Sequence, residues 1–192
     1  DYCSQEKEFN SRFPLLACRM AIASLPTFND YWQQVQDLCF ASLGGSEIPE
    51  QWRQEYALVR KALCSSMEGD VEALFDMALT EQWYARLIGT LHLNAITVVI
   101  DGSHGEQQIR GSALYTVGSM FNHSCVNNVS VDFPDSDEAV FTLQAPAKAG
   151  EELCISYLGA SPAATVAERK EALEFAHGFT CLCPACTGGV VL

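Results

Sequence analysis

Near its end the chain runs Cys181-Leu182-Cys183-Pro184-Ala185-Cys186, and well before that it carries Asn122-His123-Ser124-Cys125. Three cysteines spaced C-x-C-x-x-C are placed to hold one metal ion from three sides, whereas a closed tetrahedral zinc site takes four ligands. The fourth must come from elsewhere in the chain, and Cys125 is the natural candidate. A zinc ion so held ties the C-terminal tail onto the Asn-His segment and makes a pocket between them. Two distant stretches are then fixed together, which limits how everything between them can fold.

The 192 residues amount to one domain, or one domain with an appendage, and 48% of them are hydrophobic, enough for a core. Eleven basic against 24 acidic residues leave a net charge of −13. Phosphate binding runs on Lys and Arg, so no direct nucleic-acid partner is expected. A basic peptide or protein would be attracted instead, although the same charge also serves solubility. No secretory signal opens the sequence, and no apolar run approaches the roughly 20 residues of a membrane span, so no membrane partner is expected. Nine cysteines, an odd number, argue against a complete disulfide framework. A reducing compartment, nuclear and/or cytoplasmic, fits metal-bound and buried free thiols. Cys18, Cys39, Cys64 and Cys154 sit among apolar neighbours and read as core residues.

The first ninety residues read as helical. Phe13, Leu16, Ala17, Met20 and Ala21 recur at helical spacing behind a capping Ser11. Further helices are expected over Tyr31–Phe40, over Trp52–Cys64 with Tyr56, Val59 and Leu63 on one side, from Gly69-Asp70 through Leu79, and from Glu81 to about Leu91. Gly44-Gly45-Ser46 is the clearest breaker. After Asn94 the texture changes. Ala95–Ile100 is a β-branched run closed by Asp101-Gly102, and short strands follow at Asn128–Phe133, Ala139–Leu143 and Leu153–Tyr157. The last helix is expected to start at Ser161-Pro162 and stop at Gly178, with Val166, Leu173 and Ala176 inward and Glu168, Arg169, Lys170 and Glu171 in water.

Three motifs stand in order: Gly111-x-x-Leu114-Tyr115-x-x-x-Ser119-x-x-Asn122-His123-Ser124-Cys125-x-x-Asn128, then Gly150-Glu151-Glu152-Leu153-x-Ile155-x-Tyr157, then Arg169-x-x-x-Leu173-x-x-x-x-x-Phe179-x-Cys181-x-Cys183-x-x-Cys186. Together they resemble the C-terminal half of a SET domain with its post-SET zinc site, nearest to the SET-and-MYND proteins and the plant trithorax-related SET proteins. The resemblance covers residues 86–188 in detail. It implies an α+β fold: a helical insert region (1–90), small antiparallel sheets of a SET core with its pseudoknot (91–160), and a Cys-rich post-SET helix and tail (161–192).

The activity implied is that of a protein-lysine methyltransferase using S-adenosylmethionine, with structural zinc on Cys125, Cys181, Cys183 and Cys186. The implied substrate is a lysine-containing protein or peptide, histone or non-histone. By the same resemblance Asn94, Asn122, His123, Tyr157 and Phe179 touch the cofactor. Tyr157 is the catalytic tyrosine, and Tyr115 and His177 line the lysine channel. The logic is physical as well. In-line methyl transfer depends on positioning and desolvation, and an aromatic channel favours the neutral amine.

The sequence departs from the family in four places. It has no Gly-x-Gly strand, and no MYND finger beyond the remnant-like Tyr2-Cys3-Ser4, which suggests a fragment. His177 stands where relatives carry tyrosine, and Asn127 where they carry proline. A non-catalytic, zinc-stabilised interaction module is the alternative these departures leave open.

Overall fold

Helices gather in the first part of the chain and short strands in the second, as the change at Asn94 predicts. The computed structural model describes residues 12–24, 30–41, 47–66, 71–100, 108–134, 136–159 and 165–188. The chain divides into two compact units, residues 1–96 with 111–116 and residues 97–110 with 117–192. Among the described residues no helix is long and apolar enough to cross a membrane.

The first unit holds α1 (Arg12–Ser24), α2 (Asp30–Gln36), α3 (Glu50–Ser66), α4 (Val71–Met77) and α5 (Glu81–Asn94). In α1 the buried residues are Phe13, Ala17, Met20 and Ala21, the stripe that the helical period dictates. Helix α5 starts where the Thr80 hydroxyl accepts from the Trp83 N–H at 3.2 Å. Unlike α1 it is buried on most sides, with Tyr84, Leu87, Ile88 and Leu91 at the centre of the core. Helix α1 packs on α3 and α5, and α3 packs on α4 and α5.

Helix α2 ends at Gln36, earlier than the expected Phe40. The chain instead runs alongside α5. Arg86 donates to the Gln36 carbonyl at 2.9 Å, the Ala41 N–H donates to the Gly89 carbonyl at 3.1 Å, and Asn94 Nδ2 donates to the Cys39 carbonyl at 2.6 Å. Gly89 permits this approach, since a Cβ there would meet the Ala41 oxygen at 2.8 Å. Cys39 is consequently exposed and not a core residue, while Cys18, Cys64 and Cys154 are half-buried.

Strands are shorter than expected: β1 (Ile96–Ile100), β2 (Ile109–Ala113), β3 (Asn122–His123), β4 (Val129–Asp132), β5 (Val140–Leu143) and β6 (Cys154–Ile155). β1 pairs with β2, a strand that Arg110 and Gly111 hide from a pattern search. β4 and β5 form the antiparallel pair, Val129 opposite Leu143 and Asp132 opposite Val140. The third pair differs from the antiparallel expectation. β3 and β6 run parallel, Asn122 opposite Cys154 and His123 opposite Ile155, because the chain completes the β4–β5 hairpin before it returns.

Helix α6 spans Val166–His177, and α7 is the single turn Pro184–Thr187. α6 starts later than Ser161-Pro162, which lie outside the described residues, as do Ser11, Gly44-Gly45-Ser46, Gly69-Asp70 and Asp101-Gly102. Thr165 is the cap, and with Glu168 it closes a reciprocal capping box. Gly178, at φ 71°, supplies the left-handed stop. Of the residues expected inward, Leu173 is fully buried while Val166 and Ala176 are exposed.

The buried Glu55 carboxylate is held by the Tyr84 hydroxyl at 3.2 Å and by Gln51 at 2.9 Å. Tyr84→Phe leaves one of its oxygens without that donor and should cost about 1–3 kcal/mol in urea unfolding. Adding Glu55→Leu should recover most of the loss. A further loss of similar size would show that the pair is not the cause.

Candidate functional site

The core of the second unit is small: Leu173, Cys181 and Cys186 are buried, with Cys125, Tyr157, Leu158, Phe179 and Cys183 packed around them. Gly178 turns the chain out of α6 into the tail, and α7 brings Cys186 back beside Cys183, whose carbonyl accepts the Cys186 N–H at 2.9 Å. The sulfurs of Cys125, Cys181, Cys183 and Cys186 lie within 4.8 Å of one another. Cys125 Sγ is 3.5 Å from Cys186 Sγ and 3.9 Å from Cys181 Sγ. Bonds of about 2.3 Å to a tetrahedral zinc ion put sulfurs about 3.8 Å apart, close to the 3.5 and 3.9 Å from Cys125 to Cys186 and Cys181. Four soft donors also suit zinc better than calcium or magnesium.

Electrostatics say the same. Burial, then the hydrogen bond to the Cys186 thiol, pushes the Cys125 thiol up to about 12. Burial also raises Cys181. At Cys183 burial opposes ionisation, but hydrogen bonds from the Cys125 and Cys186 backbone and the Cys181 and Cys186 thiols outweigh it, and its pKa falls to about 6. A divalent cation is what lets all four thiols ionise together. Arg169 adds positive charge at the rim, its Nη2 lying 3.8 Å from Cys186 Sγ and 3.4 Å from the Ala185 carbonyl.

Beside the thiols lies an aromatic group. The Tyr157 ring centroid is 4.8 Å from that of His177, 5.3 Å from His123 and 6.4 Å from Phe179. The Tyr157 hydroxyl donates to the Phe121 carbonyl at 2.6 Å. Both His123 ring nitrogens are engaged: Nδ1 accepts from the Tyr157 N–H at 3.0 Å, and Nε2 stands 3.3 Å from Cys125 Sγ. Burial first, then the neighbouring His177, lowers the His123 pKa, so the ring is held neutral.

A family model described as a SET domain matches residues 5–158. The chain belongs to the SET-domain family. It is 26% identical to a SET and MYND domain-containing protein of Dictyostelium discoideum over 94% of this chain and 53% of that protein. It is also 26% identical to the Arabidopsis thaliana histone-lysine N-methyltransferase ATXR4, over 97% of this chain and 58% of that protein. With the Mus musculus protein-lysine N-trimethyltransferase SMYD5 it shares 32% identity over 72% of this chain and 34% of that protein. The chain therefore spans little more than half the length of the first two relatives. The match to the family model stops at residue 158, before the C-x-C-x-x-C tail.

In the second unit the structure draws together Cys125, Cys181, Cys183, Cys186, His123, Tyr157, His177 and Phe179. Asn122 is tied by its side chain to Glu152 at 2.7 Å. Asn94 and Tyr115 belong to the other unit, where Asn94 Nδ2 donates to the Cys39 carbonyl at 2.6 Å and the Thr90 carbonyl at 2.7 Å.

Two contributors escaped sequence reasoning. Arg169 was expected in water, yet it lies four residues before the buried Leu173, a helical spacing that puts both on one face. Asn128 clamps β6, donating to the Glu152 carbonyl at 2.9 Å and accepting from the Cys154 N–H at 2.8 Å. No local pattern signals that role.

Burial holds the His177 imidazole below its ordinary pKa of about 6.5. The folded state thus prefers the neutral ring. The stability this contributes is present above that pH and is lost as pH falls through the lower folded value. His177→Gln should therefore shrink the drop in urea midpoint between pH 7.5 and pH 5. An unchanged drop would mean that the ring titrates as if in water.

Proposed function

We propose that this chain is the catalytic C-terminal part of an S-adenosylmethionine-dependent protein-lysine methyltransferase, with a structural zinc ion on Cys125, Cys181, Cys183 and Cys186. The observation that carries the reading is Tyr157: its hydroxyl is fixed on the Phe121 carbonyl and its ring sits among His123, His177 and Phe179, beside a cluster of four thiols. The relatives named as lysine methyltransferases support the same reaction class.

S-adenosylmethionine, when bound, would supply a sulfonium methyl group for transfer to a neutral lysine amine, with the thioether S-adenosylhomocysteine as the leaving group. Such a step needs positioning and a dry, apolar approach more than acid or base. The Tyr157 proton is committed to a backbone carbonyl, so toward an incoming amine the phenol acts as an acceptor. It orients the amine without protonating it. The ring faces of Tyr157, His177 and Phe179 disfavour the ammonium form of lysine, whose pKa in water is about 10.4. His177 is a smaller wall than tyrosine, and burial keeps it neutral. Phe179 offers an aromatic face for an adenine ring. Asn122 and the main chain of β3 offer polar groups, while the His123 ring is already occupied. The acceptor is a lysine-bearing protein segment, histone or non-histone, drawn by the acidic surface.

Elemental analysis should find one zinc ion per chain, and Cys186→Ser should release it and unfold the tail. A metal-free wild-type protein, or a disulfide within Cys181–Cys186 under reducing conditions, would remove the zinc reading. Turnover on a lysine peptide, together with calorimetric titration of S-adenosylhomocysteine, tests the reaction. In the full-length protein Tyr157→Phe should lower turnover about 100-fold while changing S-adenosylhomocysteine affinity little. Equal losses would make Tyr157 structural. A zinc-loaded full-length protein that does not bind S-adenosylhomocysteine would be the non-catalytic interaction module instead.

A further inference from the structure

The backbone ladder that positions Tyr157 stops short of it. β6 ends at Ile155, whose carbonyl takes the Ser124 N–H at 3.1 Å, and Tyr157 lies two residues beyond. Its N–H is received instead by His123 Nδ1 at 3.0 Å. An Nδ1 that accepts carries no proton, so a neutral ring keeps its proton on Nε2. That nitrogen is 3.3 Å from Cys125 Sγ, within reach for an N–H donating to sulfur. One ring therefore touches the thiol cluster with one nitrogen and the main chain of the phenol-bearing residue with the other.

We propose that His123 is a positioning residue that couples occupancy of the thiol cluster to the placement of Tyr157. This rests on the reading of the cluster as a metal site. A metal-bound Cys125 thiolate is a stronger acceptor than a thiol and has no proton of its own to offer. It selects the ring orientation in which Nε2–H points at sulfur, and that orientation presents Nδ1 to the Tyr157 N–H. Metal ligands are commonly steadied by such outer partners. Here the partner's second hydrogen bond carries the constraint onward, to the residue whose hydroxyl meets the Phe121 carbonyl and whose ring lies against His177. On this view the cluster determines where the Tyr157 phenol stands as well as anchoring the tail.

Two variants divide the two hydrogen bonds. His123→Gln can keep a donor near the place of Nε2 but has no acceptor at the δ position. His123→Asn can keep an acceptor near the place of Nδ1 but cannot reach Cys125. The probes are Zn2+ alone, titrated against a chromophoric chelator, and amide hydrogen exchange at Tyr157, with Ser130 in the β4–β5 pair as control. In the wild type, zinc should raise Tyr157 protection at least about tenfold. His123→Asn should weaken zinc affinity about tenfold and leave Tyr157 protected but insensitive to zinc. His123→Gln should bind zinc nearly as well as wild type, with Tyr157 protection lost. Tyr157 protection that ignores zinc in the wild type overturns the proposal, as does wild-type behaviour in both variants. Loss of Ser130 and Tyr157 protection together in both variants also overturns it, since His123 would then be a general support of the fold. A wild type that binds no zinc removes the metal reading and this inference with it; one that binds zinc without the coupling removes this inference alone.

Discussion

Two residues of parallel pairing, Asn122 with Cys154 and His123 with Ile155, fix the geometry on which the second unit depends. The contact is too small to persist alone. Asn128 braces it by bonding to the main chain on both sides of the Glu152–Cys154 stretch, and the Ser124 N–H extends it by one more bond. Once it is made, three consequences follow from chain length alone. Cys125 lies just past one strand, Tyr157 just past the other, and His123 lies between them. The aromatic group and the thiol cluster are thus neighbours because a short parallel ladder forces them to be.

Charge shapes the site from the other side. Four thiols within 4.8 Å cannot all ionise against protons alone, and the opposite displacements of Cys125 and Cys183 express that conflict. A bound dication would resolve it, and Arg169, 3.8 Å from Cys186 Sγ, adds positive charge beside it. Nearby, burial keeps His123 and His177 neutral. At neutral pH the two imidazoles therefore add no positive charge to the aromatic group.

The helical unit is built on different terms. Helix α5 is buried on most sides, so α1 and α3 pack against it, and the chain beyond α2 is fastened along it by backbone and amide hydrogen bonds at Gly89 and Asn94. Asn94, which the family resemblance assigns to the cofactor, has its amide nitrogen on two carbonyls of this unit.

Residue spacing disclosed the five helices of the first unit and the β4 and β5 strands, because burial of a face writes itself into it, and glycine's left-handed freedom marked the stop at Gly178. The cysteine spacing and the Asn-His-Ser-Cys motif named the four thiols that the structure gathers within 4.8 Å. The described α6 begins at the Thr165–Glu168 capping box, while the expected start at Ser161-Pro162 lies outside the described residues. Cys39 looked like core because its neighbours are apolar, yet the early end of α2 turned it outward. The parallel sense of β3 and β6, the inward turn of Arg169 and the two bonds of the His123 ring were decided only in three dimensions. Each depends on a partner far along the chain. A two-residue strand carries too few side chains to show a period, and a ring nitrogen's partner is set by where the chain returns, which no local pattern encodes.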